Sequence, residues 1–274
     1  MGSIVPADLP RVLTPAAAAA FGLTPGRIRT EVRRGNWQRL AAGVLLTRPD
    51  RPSRSDWAAV GIALAPPGAA VTGWDVARLY GVGEHRPPRH PVLVIASRGM
   101  NRVVAGVRIA RTSRPFRRIV LGANSQNWAD LPITTAARAV VDTALLDSDA
   151  DRVRAIVTAS VQRRACRVED LVAEAALAPR RGGAHLRRAL ADAVTGARSV
   201  AEAHALDRLR HAEVPNFELN VPVCVDGRVV FVVDVLFRAL RAVLEIDGRE
   251  YHFREQDWLA TMARHNALVT VGLA

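Results

Sequence analysis

Three acidic residues interrupt a strongly apolar stretch near the end of the chain. Within residues 229–252, two apolar runs flank the short break Phe237–Leu240, and β-branched residues dominate the first run. This pattern predicts a β-hairpin. Asp234 lies in the first run, and Glu245 and Asp247 follow the break. Carboxylates therefore occupy positions where a buried strand would carry apolar side chains.

The predicted hairpin brings these acids onto one face. A tight turn in the break puts Asp234 roughly opposite Val243, and Glu245 then lies diagonally across from Asp234, because side chains alternate with period two. Asp247 joins the same face. Diagonal neighbours are about 7–8 Å apart at the backbone, a distance that one divalent ion can bridge between two carboxylate tips.

Packing carboxylates beside apolar side chains costs several kcal/mol unless a positive charge offsets it. Two interpretations stay open: a metal site, or a half-exposed sheet whose polar face carries solvated acids.

The order of these residues resembles a known nuclease family. Asp234, followed by Glu245-x-Asp247-Gly248 and then His252, is similar to the Vsr-like domain of the PD-(D/E)xK nuclease superfamily, which includes the very-short-patch-repair endonucleases. The resemblance implies a restriction-endonuclease-like α/β domain, DNA as substrate, and Mg²⁺ (or Mn²⁺) as cofactor. It makes Asp234 the metal-binding aspartate and Glu245 the second acid.

The resemblance also assigns roles to other residues and has one departure. Asp247 stands where most of the superfamily has lysine, so either His252 acts as the base or the site is catalytically weak. Tyr251 stands where the repair endonucleases have an aromatic wedge against DNA, although packing at the sheet edge would also explain it. Glu202 would be the acid of the preceding helix, but Ser199-x-x-Glu202 is equally a capping box that only starts this helix.

Composition and charge limit the class of protein and the kind of partner that the sequence allows. The chain has 274 residues, of which 49% are hydrophobic, enough for two or three small domains. No apolar run reaches the ~18 residues of a membrane span, and the first ten residues lack the pattern of a signal peptide, which predicts a cytoplasmic protein. All 38 basic residues are arginine, and the net charge is +12, which favours a polyanionic partner. The sequence contains no zinc-ligand spacing, Walker loop or nucleophile elbow.

The N-terminal residues predict a DNA-binding unit. Thr14-Pro15 and Thr24-Pro25 each begin a helix, and Gly22 and Gly35 end them; two short strands follow at residues 37–47. This layout resembles the winged helix-turn-helix of AbiE-type antitoxins, on the stretch GNWQRLAAGV. In such modules the second helix enters the major groove. The alternative is a small helical domain whose arginine face is solvated. Candidate DNA contacts are Arg27, Arg29, Arg33 and Arg34 on the second helix and Arg39 on the wing.

The three units are predicted to span residues 1–50, 55–194 and 199–274, giving an α+β multidomain chain. Ser55 and Thr72 are expected to cap the first two helices of the middle unit, and residues 92–97 and 102–112 are expected to form strands. This unit is mixed α/β and resembles the second domain of the antitoxin-like family. Because it contains no constellation of catalytic residue types, we expect it to be a scaffold or to bind a protein partner. Asn220–Asp226 is expected to form the strand before the hairpin, with a turn at Asp226-Gly227. The final stretch NALVTVGLA is expected to begin a strand that the nuclease family continues further.

Two functions therefore remain open from the sequence. The first is a Mg²⁺-dependent DNA endonuclease whose winged helix binds duplex. The second is a DNA-binding regulator or antitoxin-like protein whose nuclease-like domain is inactive. Both predict DNA binding, so only cleavage separates them.

Overall fold

The computed structural model describes residues 9–83, 90–99, 101–122, 128–179, 182–194, 200–212, 214, 216–225, 228–246, 268–269 and 272–273. These residues form a mixed α+β structure with three sheets, which confirms the predicted class. Among them, no helix is both long and apolar enough to cross a bilayer.

The first unit contains two helices and a small antiparallel sheet with strand order β1-β3-β2. The hydroxyls of Thr14 and Thr24 each accept a hydrogen bond from a backbone N–H at 3.2 Å, so both helices begin where the sequence predicted. Trp37 is buried in the core of this unit. The strand β1 was not predicted. The elements are β1 (Val12–Leu13), α1 (Pro15–Ala20), α2 (Pro25–Arg33), β2 (Gln38–Ala41) and β3 (Val44–Leu46).

A buried carboxylate joins this unit to the next helix, α3 (Arg54–Leu64). Oδ2 of Asp56 accepts hydrogen bonds from Arg11 at 3.0 Å and from Arg48 at 2.6 Å. Val44 of β3 also belongs to the large core of the middle unit. The N-terminal unit therefore packs on the first turn of α3.

The middle unit is a six-stranded mixed sheet packed against helices, with strand order β6-β7-β5-β4-β9-β8. The pairs β5–β7 and β4–β9 are parallel. After α3 the chain forms β4 (Ala70–Thr72), α4 (Trp74–Leu79), β5 (Val92–Ala96), β6 (Arg102–Val104), β7 (Val107–Arg111), β8 (Ile119–Val120), β9 (Pro132–Ile133), α5 (Ala136–Leu146), α6 (Ala150–Gln162), α7 (Val168–Ala176) and α8 (Ala184–Val194).

The sequence placed the main elements of this unit but missed some details. The cap of α3 is Ser53 rather than Ser55. Thr72, expected to cap α4, instead ends β4. The strand expected over residues 102–112 is a hairpin, β6–β7, which turns at Ala105 (φ +38°) and Gly106. A Cβ atom at residue 106 would overlap the ring of Trp57, so α3 approaches too closely for any larger residue there.

The C-terminal unit contains the predicted hairpin. Its elements are α9 (Val200–His211), β10 (Glu218–Val225), β11 (Arg228–Phe237), a 3-10 turn (Arg238–Leu240) and β12 (Ala242–Leu244). The strands are antiparallel, in the order β10-β11-β12. The expected turn at Asp226-Gly227 lies outside the described residues.

The expectation of a strand in the final stretch is wrong for the residues that the structure describes there. Leu268 and Val269 are helical, and the N–H of Leu273 donates to the carbonyl of Leu268 at 3.0 Å. Leu268 is buried against Val223 and Val233 of the β10–β11 hairpin. A short apolar run can form either a helical turn or a strand, because both bury the same residue types. The sequence therefore did not distinguish the two structures here.

Ion pairs attach α9 to the helices of the middle unit. Arg154 of α6 is buried and donates to Asp192 of α8 at 3.1 Å and to Asp207 of α9 at 2.7 Å. Arg188 lies 3.2 Å from the same Asp207 carboxylate. On the other side of α9, Leu206 packs against Phe217 and Leu219. Helix α9 therefore connects the middle helices to the C-terminal sheet.

We expect Asp207→Asn to loosen this attachment. Burial raises the pKa of Asp207, but the hydrogen bond from Arg154 and the nearby arginine charges outweigh it and hold the pKa below its usual range. The ionised form is thus favoured by folding, and its contribution is present above the ordinary aspartate pKa and lost as pH falls through the lowered folded value. At pH 7 the variant should lose about 1–3 kcal/mol locally. Hydrogen exchange of the α9 amides should become faster.

The control for this experiment is Glu169→Gln, which removes an exposed acid that pairs with Arg167 on α7. Its α9 amides should exchange as in the wild type. Equal exchange in Asp207→Asn and the wild type would show that these ion pairs do not hold α9.

Candidate functional site

The two predicted metal-binding acids lie across from each other in the hairpin. In β11 and β12, Val235 pairs with Leu244 and Leu236 pairs with Val243. Val243 is therefore opposite Leu236 and not opposite Asp234, which corrects the predicted register by two residues. Continuing the observed register by one residue places Glu245 directly across from Asp234.

The shape of the turn explains the correction. The break contains a 3-10 turn followed by Arg241 in the left-handed region at φ +53°, which moves the centre of the hairpin toward the C-terminus. A shift of two residues keeps every side chain on its face. Directly opposed residues have Cβ atoms about 4.5–5.5 Å apart, so Asp234 and Glu245 are closer than the diagonal arrangement would place them.

A backbone hydrogen bond orients the Asp234 carboxylate. Asp234 is half-buried between Val233 and Val235, which are both fully buried. Its Oδ2 atom accepts a hydrogen bond from the N–H of Ile246 at 2.8 Å. The carboxylate thus reaches the chain directly after Glu245, which fixes the position of both acids relative to each other.

Asn220 on the neighbouring strand was not among the predicted site residues. Leu219 pairs with Val235 and Val221 with Val233, so Asn220 lies at the position next to Asp234 on the other side of β11. Its φ is +52°, a left-handed conformation that asparagine tolerates better than most residues. Register alone places an amide and two carboxylates in one row across the three strands. The available signal was an asparagine inside a predicted strand, where it is disfavoured.

Other predicted site residues remain untested. Asp247, Tyr251 and His252 lie outside the described residues. Glu202 belongs to α9, but its side chain is not described, so neither the metal-site role nor the capping role is decided.

The donor set suits Mg²⁺ or Mn²⁺. In the part of the chain that the structure describes, no group of three or more His, Cys, Asp or Glu side chains converges on one point. However, Mg²⁺ is commonly bound by one or two carboxylates, with waters and substrate phosphates completing its octahedral shell. Asp234 and Glu245 meet that requirement.

An ion pair links the 3-10 turn of the hairpin to β10. Arg238 of the 3-10 turn donates two hydrogen bonds to Glu218 of β10, at 2.6 and 2.8 Å. These bonds lower the pKa of Glu218. Arg241 donates to the carbonyl of Gly272 at 3.0 Å, so the turn also contacts the final residues.

The predicted DNA-contacting arginines differ in their surroundings. Arg29, Arg33, Arg34 and Arg39 are exposed, whereas Arg27 is half-buried. Arg27 lies 2.7 Å from the buried carboxylate of Glu31 in the next turn of α2. Arg27 is therefore neutralised within the helix, and the four exposed arginines carry the positive surface of this unit.

A cleft of about 510 Å³ in the middle unit has little catalytic character. Tyr80, Cys166 and Glu174 are among the residues that line it. Burial raises the pKa of Cys166 and of Tyr80, so both stay protonated near neutral pH. Nucleophilic chemistry by a thiolate is disfavoured here.

Comparison with known proteins assigns no family. No protein-family profile matches the chain, and a search of curated proteins finds no significant relative.

Proposed function

We propose that this chain is a DNA-binding protein whose C-terminal unit is a Mg²⁺-dependent DNA endonuclease. The observation that carries the proposal is the β11–β12 register, which, continued one residue past Leu244, places Glu245 across from Asp234. Two carboxylates brought close together are a pair of oxygen donors that Mg²⁺ can use. The exposed arginines of the N-terminal unit suit the phosphate backbone of a duplex.

The roles of the residues follow from this arrangement. Asp234 and Glu245 would hold the divalent ion, and the N–H of Ile246 keeps the Asp234 carboxylate aimed at the end of β12. The ion, when bound, would supply a Lewis acid that neutralises charge on the scissile phosphate and lowers the pKa of an attacking water. Through its resemblance to the repair endonucleases, His252 would take the proton from that water, since Asp247 replaces the usual lysine.

The second candidate is a DNA-binding regulator or antitoxin-like protein with an inactive nuclease-like unit. Two observations favour it. Asp247 cannot supply the positive charge of the lysine found in most of the superfamily, and Leu268–Val269 are helical where the resemblance implies a further strand. In this case the middle unit would serve as a surface for a protein partner.

A cleavage assay on supercoiled plasmid separates the two candidates. The endonuclease should nick or linearise plasmid with Mg²⁺ or Mn²⁺ and lose all activity in excess chelator. DNA binding without cleavage on duplex, mismatched and single-stranded substrates would establish the second candidate instead.

The DNA-binding part of the proposal has its own test in Arg29→Ala/Arg33→Ala. These residues lie four apart on one face of α2 and are exposed. Loss of two phosphate contacts should reduce the slope of log affinity against log salt by about 1.8 and weaken binding on the order of tenfold near physiological salt. Fluorescence anisotropy with a labelled duplex measures both quantities.

The control for the Arg29→Ala/Arg33→Ala variant is Arg167→Ala/Arg152→Ala. It removes two exposed charges, one on α6 and one on the residue that caps α7. Its affinity and salt slope should match the wild type. If both double variants weaken binding equally, net charge rather than the α2 surface controls affinity.

A further inference from the structure

One stretch of the middle unit carries basic side chains without any acidic ones. Residues 85–129 include nine arginines and no aspartate or glutamate. One of them, Arg114, is largely buried and pairs with Asp142 and Glu174. Among the described ion pairs none involves Arg98, Arg102 or Arg111, and all three side chains are exposed.

The strand topology brings these three arginines to one end of the sheet. Strands β5 and β7 are parallel and end together, with Ala96 paired to Arg111. Arg98 follows β5 by two residues. Strand β6 is antiparallel to β7, so its first residue, Arg102, lies at this same end, paired with Ile109.

Two of the arginines also share a face. Arg102 is directly opposite Ile109, and Arg111 is two residues beyond Ile109 on β7, so both side chains point to the same side. Such diagonal neighbours are about 7–8 Å apart at the backbone. The N–H of Arg111 donates to the side-chain oxygen of Asn101 at 2.9 Å, which ties the start of β6 to the end of β7.

The other face of the same strands differs. Arg108 of β7 pairs with Val103 of β6, so both point away from Arg102 and Arg111. Val103 is 67% exposed, which gives that side a mixed apolar character. The face with Arg102 and Arg111 is the one covered by α3, since a Cβ at Gly61 of α3 would meet Val94 and Val107 there.

Helix α3 relates this surface to the N-terminal unit. The first turn of α3 holds that unit through Asp56, whereas Pro66, just beyond the last turn, lies against Gly99. With 11 residues, α3 is roughly 16 Å long. The arginines at the end of β5, β6 and β7 are therefore about one short helix away from the unit that carries the α2 arginines.

We propose that Arg98, Arg102 and Arg111 form a second contact surface for the phosphate backbone of the same DNA duplex. This inference rests on the proposed DNA binding. A duplex turn is roughly 34 Å long, so DNA held by the α2 unit extends past the end of α3. Arginines at strand ends contact phosphates rather than base edges, which makes the contact independent of sequence. The N-terminal unit would select the site, and this surface would lengthen the footprint.

The test compares Arg102→Ala/Arg111→Ala with the wild type on a labelled duplex of about 30 base pairs. The variant should bind the duplex on the order of tenfold more weakly near 0.15 M salt, and its salt slope should fall by about 1.8. Arg108→Ala/Arg167→Ala removes the same charge elsewhere and is the matched control.

The outcomes distinguish this inference from the proposed function. If the wild type does not bind the duplex, DNA binding itself is refuted, and this surface loses its partner as well. If the wild type binds but Arg102→Ala/Arg111→Ala behaves like the control, the chain binds DNA without this surface, which would then suit a different polyanion such as an acidic protein.

Discussion

Replacing Asp234 with asparagine should abolish Mg²⁺-dependent DNA cleavage while leaving DNA affinity unchanged. Asparagine keeps the size of the side chain, and its amide oxygen can still accept the hydrogen bond from Ile246. The charge that attracts a divalent ion is lost, however. Removing a group that stabilises transition-state charge costs on the order of 10²–10³-fold in rate. Nicking rates of supercoiled plasmid at saturating Mg²⁺ measure this loss.

The matched control is Glu218→Gln, which removes an acid from the same sheet. Glu218 pairs with Arg238 and lies at the start of β10, opposite Leu236. Its cleavage rate should stay within a few-fold of the wild type. A third variant, Glu245→Gln, should behave like Asp234→Asn because Glu245 is the partner across the hairpin. All three variants should bind a labelled duplex equally.

Two results would contradict the endonuclease. Cleavage that persists in Asp234→Asn at the wild-type rate would point to a different site or a contaminating nuclease. A wild type that binds DNA but never cleaves it would favour the regulator. The Asp234→Asn preparation also serves as the test for contamination, since a contaminant would not respond to the substitution.

The hairpin could be predicted because its evidence is local, but its register could not. The apolar run and its β-branched residues indicate where β11 runs. The register depends on the turn, and the break Phe237–Leu240 contains neither glycine nor an Asn-Gly pair that would specify a turn type. Arginine at position 241 gives no sign that this residue is left-handed. The pairing of Asp234 with Glu245 therefore required the structure.

Helix starts in the N-terminal unit were predictable for the same reason. A threonine followed by proline acts through its nearest neighbours, and both caps are present. Thr72 was misinterpreted because its partner is distant: its hydroxyl donates to Asp142 at 2.8 Å, 70 positions away. A hydroxyl before a helix looks like a cap unless a tertiary partner competes for it.

The charged cluster around Arg138 shows the limit of sequence reasoning most clearly. Arg138 and Asp142 are four apart on α5, which suggests an ordinary surface pair. In the structure Arg138 is 1% exposed and Asp142 is 5% exposed. Arg114 and Glu174 complete the cluster from distant parts of the chain. The network ties α5 to the segment after β7 and to α7 inside the middle unit.

We expect Asp142→Asn to destabilise the protein strongly. The Asp142 carboxylate receives hydrogen bonds from Arg138 at 2.8 Å, from Thr72 at 2.8 Å and from Arg114. Without its charge, Glu174 is the one carboxylate that the described residues leave beside two largely buried guanidinium groups. Breaking a buried pair by removing one partner costs about 3–5 kcal/mol. Urea denaturation at pH 7, with the midpoint and slope measured separately, reports the loss in the free energy of unfolding.

The matched variant Glu174→Gln should cost much less, on the order of 1 kcal/mol. Burial raises the pKa of Glu174 above its ordinary value, despite the opposing charges of Arg138 and Arg114. Folding therefore favours the protonated form of Glu174, and its contribution to stability falls as pH rises from the ordinary glutamate pKa through the raised one. The deficit of Glu174→Gln relative to the wild type should consequently shrink as the pH rises above the ordinary glutamate pKa. Equal losses in Asp142→Asn and Glu174→Gln at pH 7 would mean that the cluster responds to total charge and not to the specific hydrogen bonds of Asp142.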